Sequence, residues 1–462
     1  MSRASITPLD QIAAFVVGAK PPDHARARAA VAVLDTIGVA IAGSIEHPAI
    51  IVRGTLGPSD PGPLGPSHLG PFGPSDPRTL GPCSVWGTPS HASAPDAALA
   101  NGTAAHALDY DDMCFVSLAH PSAPLVPAIV AAGELADASG RAVLDAYVVG
   151  FEIQARLGRL MNPRHYQRGW HCTSTLGALS AAAGAARLLG LKATATAHAL
   201  AIAASSASGL KENFGTMVKP LHAGLAARDG VFAAMLAKGG MTASASALDG
   251  AQGYLHAFDS QDEDLSTAVA DLGSRWEILD TGITVKLYPS CAGTHPTLDA
   301  VLDLIADERF TAGEVQRIDV DVDAIVPTIL IYARPTTALE AKFSLPFCVA
   351  AAVVFGSVGI DTFDEARIRD PRVAALMPRV KMHVDEQIGK GKPPLTEARV
   401  RVTLADCRVL VREAHGARGY PEQPASAAEL EAKFLSCAMR AVPESEARET
   451  LARLRESFTS DL

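Results

Sequence analysis

Apolar residues recur at helical spacing through most of the first 240 positions. Residues 29–44 (AAVAVLDTIGVAIAGS) are apolar nearly all round, the pattern of a helix buried among other helices. The same period predicts helices over 93–108, 121–139, 141–161, 173–189, 193–208 and 221–238. One stretch breaks the pattern. From 56 to 83 the chain reads LGPSDPGPLGPSHLGPFGPSDPRTLGPC, an irregular Gly-Pro repeat unfit for a helix interior or a central strand and without the strict triplet of collagen. It is expected to be a flexible surface insertion; a proline-rich docking segment would call for a PxxP ligand with basic flanks. Near 272 the period changes. The runs WEILDTGITVKLYP, VQRIDVDVDAIV and RVKMHVDEQI read as strands, and ARVRVTLAD with RVLVREAH reads as a hairpin. Helical stretches beginning near 294 and 341 lie between them, and the tail from 425 is an amphipathic helical segment. The expected fold is therefore mainly α. A large all-helical domain (residues 1–270, with the insertion at about 56–83) is followed by a smaller α+β lid (271–414), and C-terminal helices (415–462) return to the first domain.

Composition sharpens this picture without changing it. A chain of 462 residues is long for a single core, and 48% apolar against 19% charged residues suits a folded, mostly helical protein with a large interior. The net charge of -10 argues against nucleic acid or an anionic membrane as partner, since both demand a basic footprint. The opening MSRASITPLDQIAAFV lacks the apolar core of a secretory signal and no apolar run reaches the length of a membrane span, so the expected compartment is the cytoplasm. The seven cysteines are scattered without a CxxC, which suggests neither disulfides nor a zinc or iron–sulfur site.

Candidate chemistry concentrates in NGTAAHALDYDDMCFVSLAHPSAPLVP (101–127). There Asp109, Asp111 and Asp112 stand beside His106 and His120, between two alanine-rich helices. Helix capping by the same residues is the structural alternative. In RGWHCTSTLG, His171 precedes a helix start, where free amides favour an anion; it is a candidate acid, base or carboxylate ligand, or a structural cap. NFGTMVKPLHAG offers Lys219 and His222 at another helix entrance, and Lys219 there fixes a carboxylate or stands solvated. VKLYPSCAGTH sets Lys286, Cys291 and His295 within about ten positions, a set fit for proton transfer or simply for the core. IYARPTTALEAKFSLPFC supplies Tyr332, Arg334 and Lys342; Arg334 either clamps a carboxylate or makes a surface ion pair.

In this order the motifs resemble the MmgE/PrpD family, which holds 2-methylcitrate dehydratases, cis-aconitate decarboxylases and iminodisuccinate epimerase. The resemblance spans Ile12 to Lys433 and rests on NGTAAHALDYDD with AHPSAPLVPA, GWHCTSTLGAL, NFGTMVKPLHAGLAARDG, KLYPSCAGTH and RPTTALEAKFSLPF. It implies a helical domain formed by both chain ends, an α+β lid, an active site in the cleft between them and a homodimer. Carried over by motif, the family's site falls on Asp109, His120, His171, Lys219, Lys286 and Tyr332; with Cys291 and Arg334 added from the reading of the residues, Asp109, His120, His171, Cys291 and Tyr332 are the candidate catalytic residues, and Lys219, Lys286 and Arg334 the candidate substrate-binding ones. Two positions depart from the decarboxylases: Met113 stands where they have Thr, and Cys291 where they have a lid His. The first expectation is thus a cofactor-independent and metal-independent hydro-lyase acting on a small di- or tricarboxylic acid of the 2-methylcitrate type. Alternatives are an epimerase of a substituted succinate such as iminodisuccinate, a cis-aconitate-type decarboxylase, and an inactive carboxylate-binding member. All the active readings require a proton to move next to a carboxylate, with cations to hold the developing charge.

Overall fold

The computed structural model describes residues 6–56, 81–258 and 264–459. The Gly-Pro insertion expected at about 56–83 falls, at 57–80, outside the described residues.

The expected helices of the first half are present as Asp23–Gly43, Ala94–Ala107, Ser122–Ala136, Gly140–Met161, Cys172–Leu188, Ala193–Ser206 and Val218–Lys238. Alanine and glycine let them approach closely. Helix Ala94–Ala107 begins where the Ser93 side chain accepts the Asp96 amide, carries Pro95 in its first turn and is buried nearly throughout its length. It crosses Val218–Lys238 where Gly102 meets Gly224: a Cβ on Gly102 would stand 2.9 Å from the Gly224 Cα, and one on Gly224 only 2.5 Å from the Leu99 carbonyl oxygen. This backbone-on-backbone contact sets the end of one helix beside the first turn of the other, which brings Asp109 to Lys219. Gly224→Ala is therefore expected to push the helices apart and cost about 1–3 kcal/mol. Chemical denaturation would check this; an unchanged midpoint would mean that the crossing gives way freely.

The α+β part holds a four-stranded sheet in the order 380–384, 315–322, 397–404, 409–415, with the first pair parallel and the others antiparallel. The expected hairpin is Glu397–Leu404 with Val409–His415, in register from Glu397 opposite His415 to Thr403 opposite Val409. Strand Glu397–Leu404 buries every second residue, Ala398, Val400, Val402 and Leu404, under helix His295–Glu308, while helix Leu345–Phe355 packs on strand Val380–Val384.

Two expectations are corrected. The run WEILDTGITVKLYP is not a strand: it forms a single helical turn, Glu277–Asp280, and then irregular chain. Its backbone bonds go to isolated partners, Thr284 to Met113 and Val285 to the Gly419 carbonyl, while the buried Glu277 carboxylate takes Arg159, Arg275 and the Thr281 hydroxyl. Apolar residues in that run serve docking instead of a ladder. The helix expected near 341 is broken into Ala338–Ala341 and Leu345–Phe355, because Ser344 caps a new helix with Pro346 in its first turn.

The tail forms helices Ala427–Ala438 and Glu444–Thr459, which pack on Asp23–Gly43 and Gly140–Met161 of the helical part. Ser426 and Glu429 make a capping box at the start of the first. The fold is predominantly helical with a smaller α+β portion. Among the described residues no single helix is long and apolar enough to cross a membrane.

Candidate active site

Helix Ala94–Ala107 ends at the acidic motif, and Asp109 takes a left-handed conformation, φ 52°. A non-glycine residue there is uncommon and must be held by its surroundings. The turn aims its carboxylate between two cations. Oδ1 accepts from Lys219 Nζ at 2.6 Å and Oδ2 lies 3.2 Å from Lys286 Nζ, with Lys286 0% exposed. Burial alone would raise the Asp109 pKa, but Lys219 and Lys286 outweigh it and hold the carboxyl well below the usual carboxylate range.

Lys219 also donates to His106 Nε2 at 2.8 Å, which leaves the ring proton on Nδ1, 2.8 Å from Asp111 Oδ2. The same oxygen is 3.2 Å from His120 Nδ1, and His120 Nε2 is 3.9 Å from Asp109 Oδ1. Burial is the main influence on both imidazoles. It pushes His106 down to about 3 and lowers His120, although the Asp111 charge opposes it in each case. His171 precedes helix Cys172–Leu188; its Nδ1 lies 3.1 Å from His222 Nδ1, and its buried Nε2 has no hydrogen-bond partner among the described residues. Burial, then Lys219 and the neighbouring imidazoles, keep His171 well below its ordinary value. Its ring stacks on His106 with centroids 5.8 Å apart and meets the edge of Phe214 at 4.9 Å.

Of the residues singled out in the sequence, Asp109, His120, His171, Lys219 and Lys286 come together here, and Cys291 lies nearby. Cys291 is buried, which pushes its thiol up to about 11, with Asp109 adding to this and Lys286 opposing it. That makes it a weak acid near neutral pH. Tyr332 stands one layer out: its hydroxyl donates to the Phe214 carbonyl at 2.9 Å, behind the ring that faces His171. Arg334 is exposed and makes no hydrogen bond or ion pair among the described residues, whereas Lys342 points inward to the Leu108 carbonyl. The acidic motif divides. Asp112 accepts the Ser122 amide and hydroxyl at the start of Ser122–Ala136, and burial pushes it up to about 8 against those bonds. Asp112 is thus a protonated cap at neutral pH, whereas Asp109 and Asp111 stay ionised.

Sequence reasoning placed His106 and Asp111 in the candidate cluster but gave neither a role of its own in the implied site, though both belong to the network. It attached no role to Lys433, which lies inside an apolar helical run, EAKFLSCA. A lysine in such a setting is the one available sign, since lysines are rarely buried unless paired.

The donor atoms of His106, Asp109, Asp111 and His120 lie within 4.8 Å of one another, a spacing able to hold a divalent cation. The Lys219 ammonium already sits on two of these donors, and a metal there would face it and Lys286 at close range. The residues fit an internal cation better than a metal. Dialysis against a chelator is accordingly expected to leave activity within about twofold of the untreated enzyme, checked by metal analysis of the same sample. A loss restored by one divalent ion would overturn this assignment.

The cluster is sealed: His120, its most accessible member, is 8% exposed. A cavity of about 910 Å³ lined by residues such as Ile37, Trp86, Val143 and Phe458 lies elsewhere and contains none of these side chains.

The buried acid–base network thus joins the end of helix Ala94–Ala107 and the first turn of Val218–Lys238 to Lys286 of the later segment. The chain belongs to the MmgE/PrpD family: residues 10–266 match the MmgE/PrpD N-terminal domain and 288–456 the C-terminal domain. Among similar proteins, cis-aconitate decarboxylase of Mus musculus is 29% identical over 369 residues, 76% of this chain and 73% of its own. The cis-aconitate decarboxylase-like protein oryM of Aspergillus oryzae is 31% identical over 323 residues, 64% of this chain and 66% of its own. Cis-aconitate decarboxylase of Aspergillus terreus is 27% identical over 352 residues, 71% of each. At the level of its family the chain is a lyase.

Proposed function

We propose that this chain is a decarboxylating lyase for a small unsaturated tricarboxylate of the cis-aconitate type. The observation that carries the reading is the pair of buried ammonium groups on Asp109, set beside imidazoles of which one, His171, keeps a free Nε2. Similarity to two cis-aconitate decarboxylases and one cis-aconitate decarboxylase-like protein supports decarboxylation ahead of the 2-methylcitrate dehydration that the motifs first suggest. In such a step one carbon–carboxylate bond breaks and CO₂ leaves. The electron pair spreads over the alkene and its remaining carboxylate, and a proton is delivered to carbon. Lys219 and Lys286 suit the stabilisation of that charge, in a dry site where such interactions are strong. His171 suits the proton delivery. In the empty site it is neutral, but a bound polyanion favours the imidazolium and raises its pKa, so the substrate itself arms the acid.

Dehydration of a 2-methylcitrate-type acid is the second reading; Met113 and Cys291, at the two positions where the chain departs from the decarboxylases, weigh against decarboxylation without separating dehydration from epimerisation. Epimerisation of a substituted succinate would use the same proton chemistry with neither CO₂ nor water lost. Proton NMR in deuterated water, on protein offered cis-aconitate, 2-methylcitrate and iminodisuccinate separately, tests all three. Expected is CO₂ from cis-aconitate with one deuteron entering the product. An alkene formed only from 2-methylcitrate would replace this reading with the hydro-lyase, and exchange with inversion alone would replace it with the epimerase.

A further inference from the structure

Three lysines from distant parts of the chain donate to three consecutive carbonyls. Lys342 Nζ reaches the Leu108 oxygen at 2.7 Å, Lys286 Nζ the Asp109 oxygen at 2.9 Å, and Lys433 Nζ the Tyr110 oxygen at 2.9 Å. All three ammonium groups are buried. These carbonyls follow the end of helix Ala94–Ala107, where backbone acceptors have no partner within the helix, and they flank the left-handed Asp109. Such a conformation persists only where the surroundings over-determine it.

Lys342 and Lys433 each hold a second group outside the turn, and so tie it to other elements. Lys342 donates to the Pro289 carbonyl at 2.9 Å, in the segment that carries Lys286 and Cys291. Lys433, on helix Ala427–Ala438, pairs with Asp35 of helix Asp23–Gly43 at 2.7 Å, and its ammonium stands 4.1 Å from the centre of the Tyr110 ring. Tyr110 in turn donates from its hydroxyl to the Leu287 carbonyl at 3.2 Å. Lys286 touches the Asp109 carboxylate directly; Lys342 and Lys433 are bonded only to the backbone beneath it and to their anchors.

We infer that Lys342 and Lys433 are positioning residues: they clamp the Leu108–Tyr110 turn and thereby hold the Asp109 carboxylate between Lys219 and Lys286. The inference rests on the reading of Asp109 as part of the reacting site. It assigns helix Ala427–Ala438, remote in sequence, a share in the geometry of that site. Charge-assisted bonds suit the task, being shorter and stronger than neutral ones. An apolar side chain of equal length would leave each carbonyl buried and unpaired.

The test compares full-length K342M, K433M and K433R with the unsubstituted protein. Amide hydrogen exchange over 106–112 is expected to quicken at least about tenfold in both Met variants, with the 397–404 strand unchanged. In the cis-aconitate assay kcat is expected to fall at least about 30-fold while KM stays within about threefold, because orientation and not binding is lost. K433R, which keeps the charge opposite Asp35, should recover most of kcat. Should K433M fail to fold, K433M/D35N removes the stranded carboxylate and takes its place. Folded Met variants with unaltered exchange at 106–112, or with exchange quickened evenly across the protein, would overturn the inference; so would kcat within threefold of the unsubstituted enzyme. An unsubstituted protein inactive on every acid offered would sink the lyase reading instead, and the exchange measurement would still decide whether the lysines hold the turn.

Discussion

Replacement of Lys219 by Met is expected to lower kcat/KM for CO₂ release from cis-aconitate by about 10²–10³-fold, the usual consequence of removing one preorganised cationic or hydrogen-bonding group from a dry site. Lys219 is the hub of the network: its ammonium bonds both the Asp109 carboxylate and His106 Nε2. Without it Asp109 turns wholly to Lys286, and His106 no longer has a reason to keep its proton on Nδ1. The His106–Asp111–His120 chain then loses its defined direction of donation. The protein should still fold, since Asp109 keeps one cationic partner and is not left buried and unpaired, a situation that costs about 3–5 kcal/mol. The split between kcat and KM carries the information. Loss in kcat assigns Lys219 to the developing charge, and loss in KM alone makes it a ground-state carboxylate binder. K219M activity within threefold of the unsubstituted enzyme would remove Lys219 from the mechanism and, with it, the argument that the Asp109 cluster is the reacting site.

The second large effect is on stability in mild acid. Burial holds His165 and His222 at about 4, and His106 and His295 at about 3, against 6.5 for an exposed imidazole. Each is neutral when folded and takes up a proton on unfolding below its ordinary pKa, so stability is lost as pH falls from about 6.5 towards 4. Two buried carboxyls work the other way. Burial pushes Asp112 up to about 8 and Glu152 up to about 7, so each carries a proton when folded and releases it on unfolding. At pH 5 these four imidazole protons gained against two carboxyl protons lost leave about two, worth roughly 3 kcal/mol per pH unit, and His120 and His171, also lowered by burial, add to the same side. Stability should peak near neutral pH and decline on both sides, more steeply on the acid side; above the peak, loss continues until Asp112 is ionised near 8. Calorimetric unfolding at pH 4.5, 5.5, 6.5 and 8 measures this curve. His165→Gln, which can keep the contacts to Thr175 and the Phe258 carbonyl, should flatten the acid limb by about one proton, roughly 1.4 kcal/mol per unit. A Tm as high at pH 4.5 as at 6.5 would show that these imidazoles are charged in the folded protein.

Much of this molecule is determined by local sequence. Helix positions follow from the 3.6-residue period and from caps such as Ser93 and Ser426, and the hairpin 397–415 from strict alternation, because these are nearest-neighbour properties of the chain. Motif order determined the family and brought forward Asp109, His120, His171 and Lys219, each next to a helix end where polar groups gather, and Lys286 in the irregular chain after Glu277–Asp280. Local pattern failed where long-range partners outbid it. The apolar run around Ile283 and Val285 meets isolated backbone partners instead of a neighbouring strand. Arg334 and Lys342, both in one short motif, end on opposite sides of the surface, one exposed and one buried. Only the tertiary structure separates Asp112, a protonated cap, from Asp109 and Asp111, which remain ionised. Identical side chains within four positions titrate differently because their surroundings differ in charge and burial, and the cations that hold Asp109 ionised come from Lys219 and Lys286, 110 and 177 positions away. The same reason hides Lys433 from a reading of the sequence: its acceptor at Tyr110 lies 323 positions distant, and no local pattern records a bond of that reach.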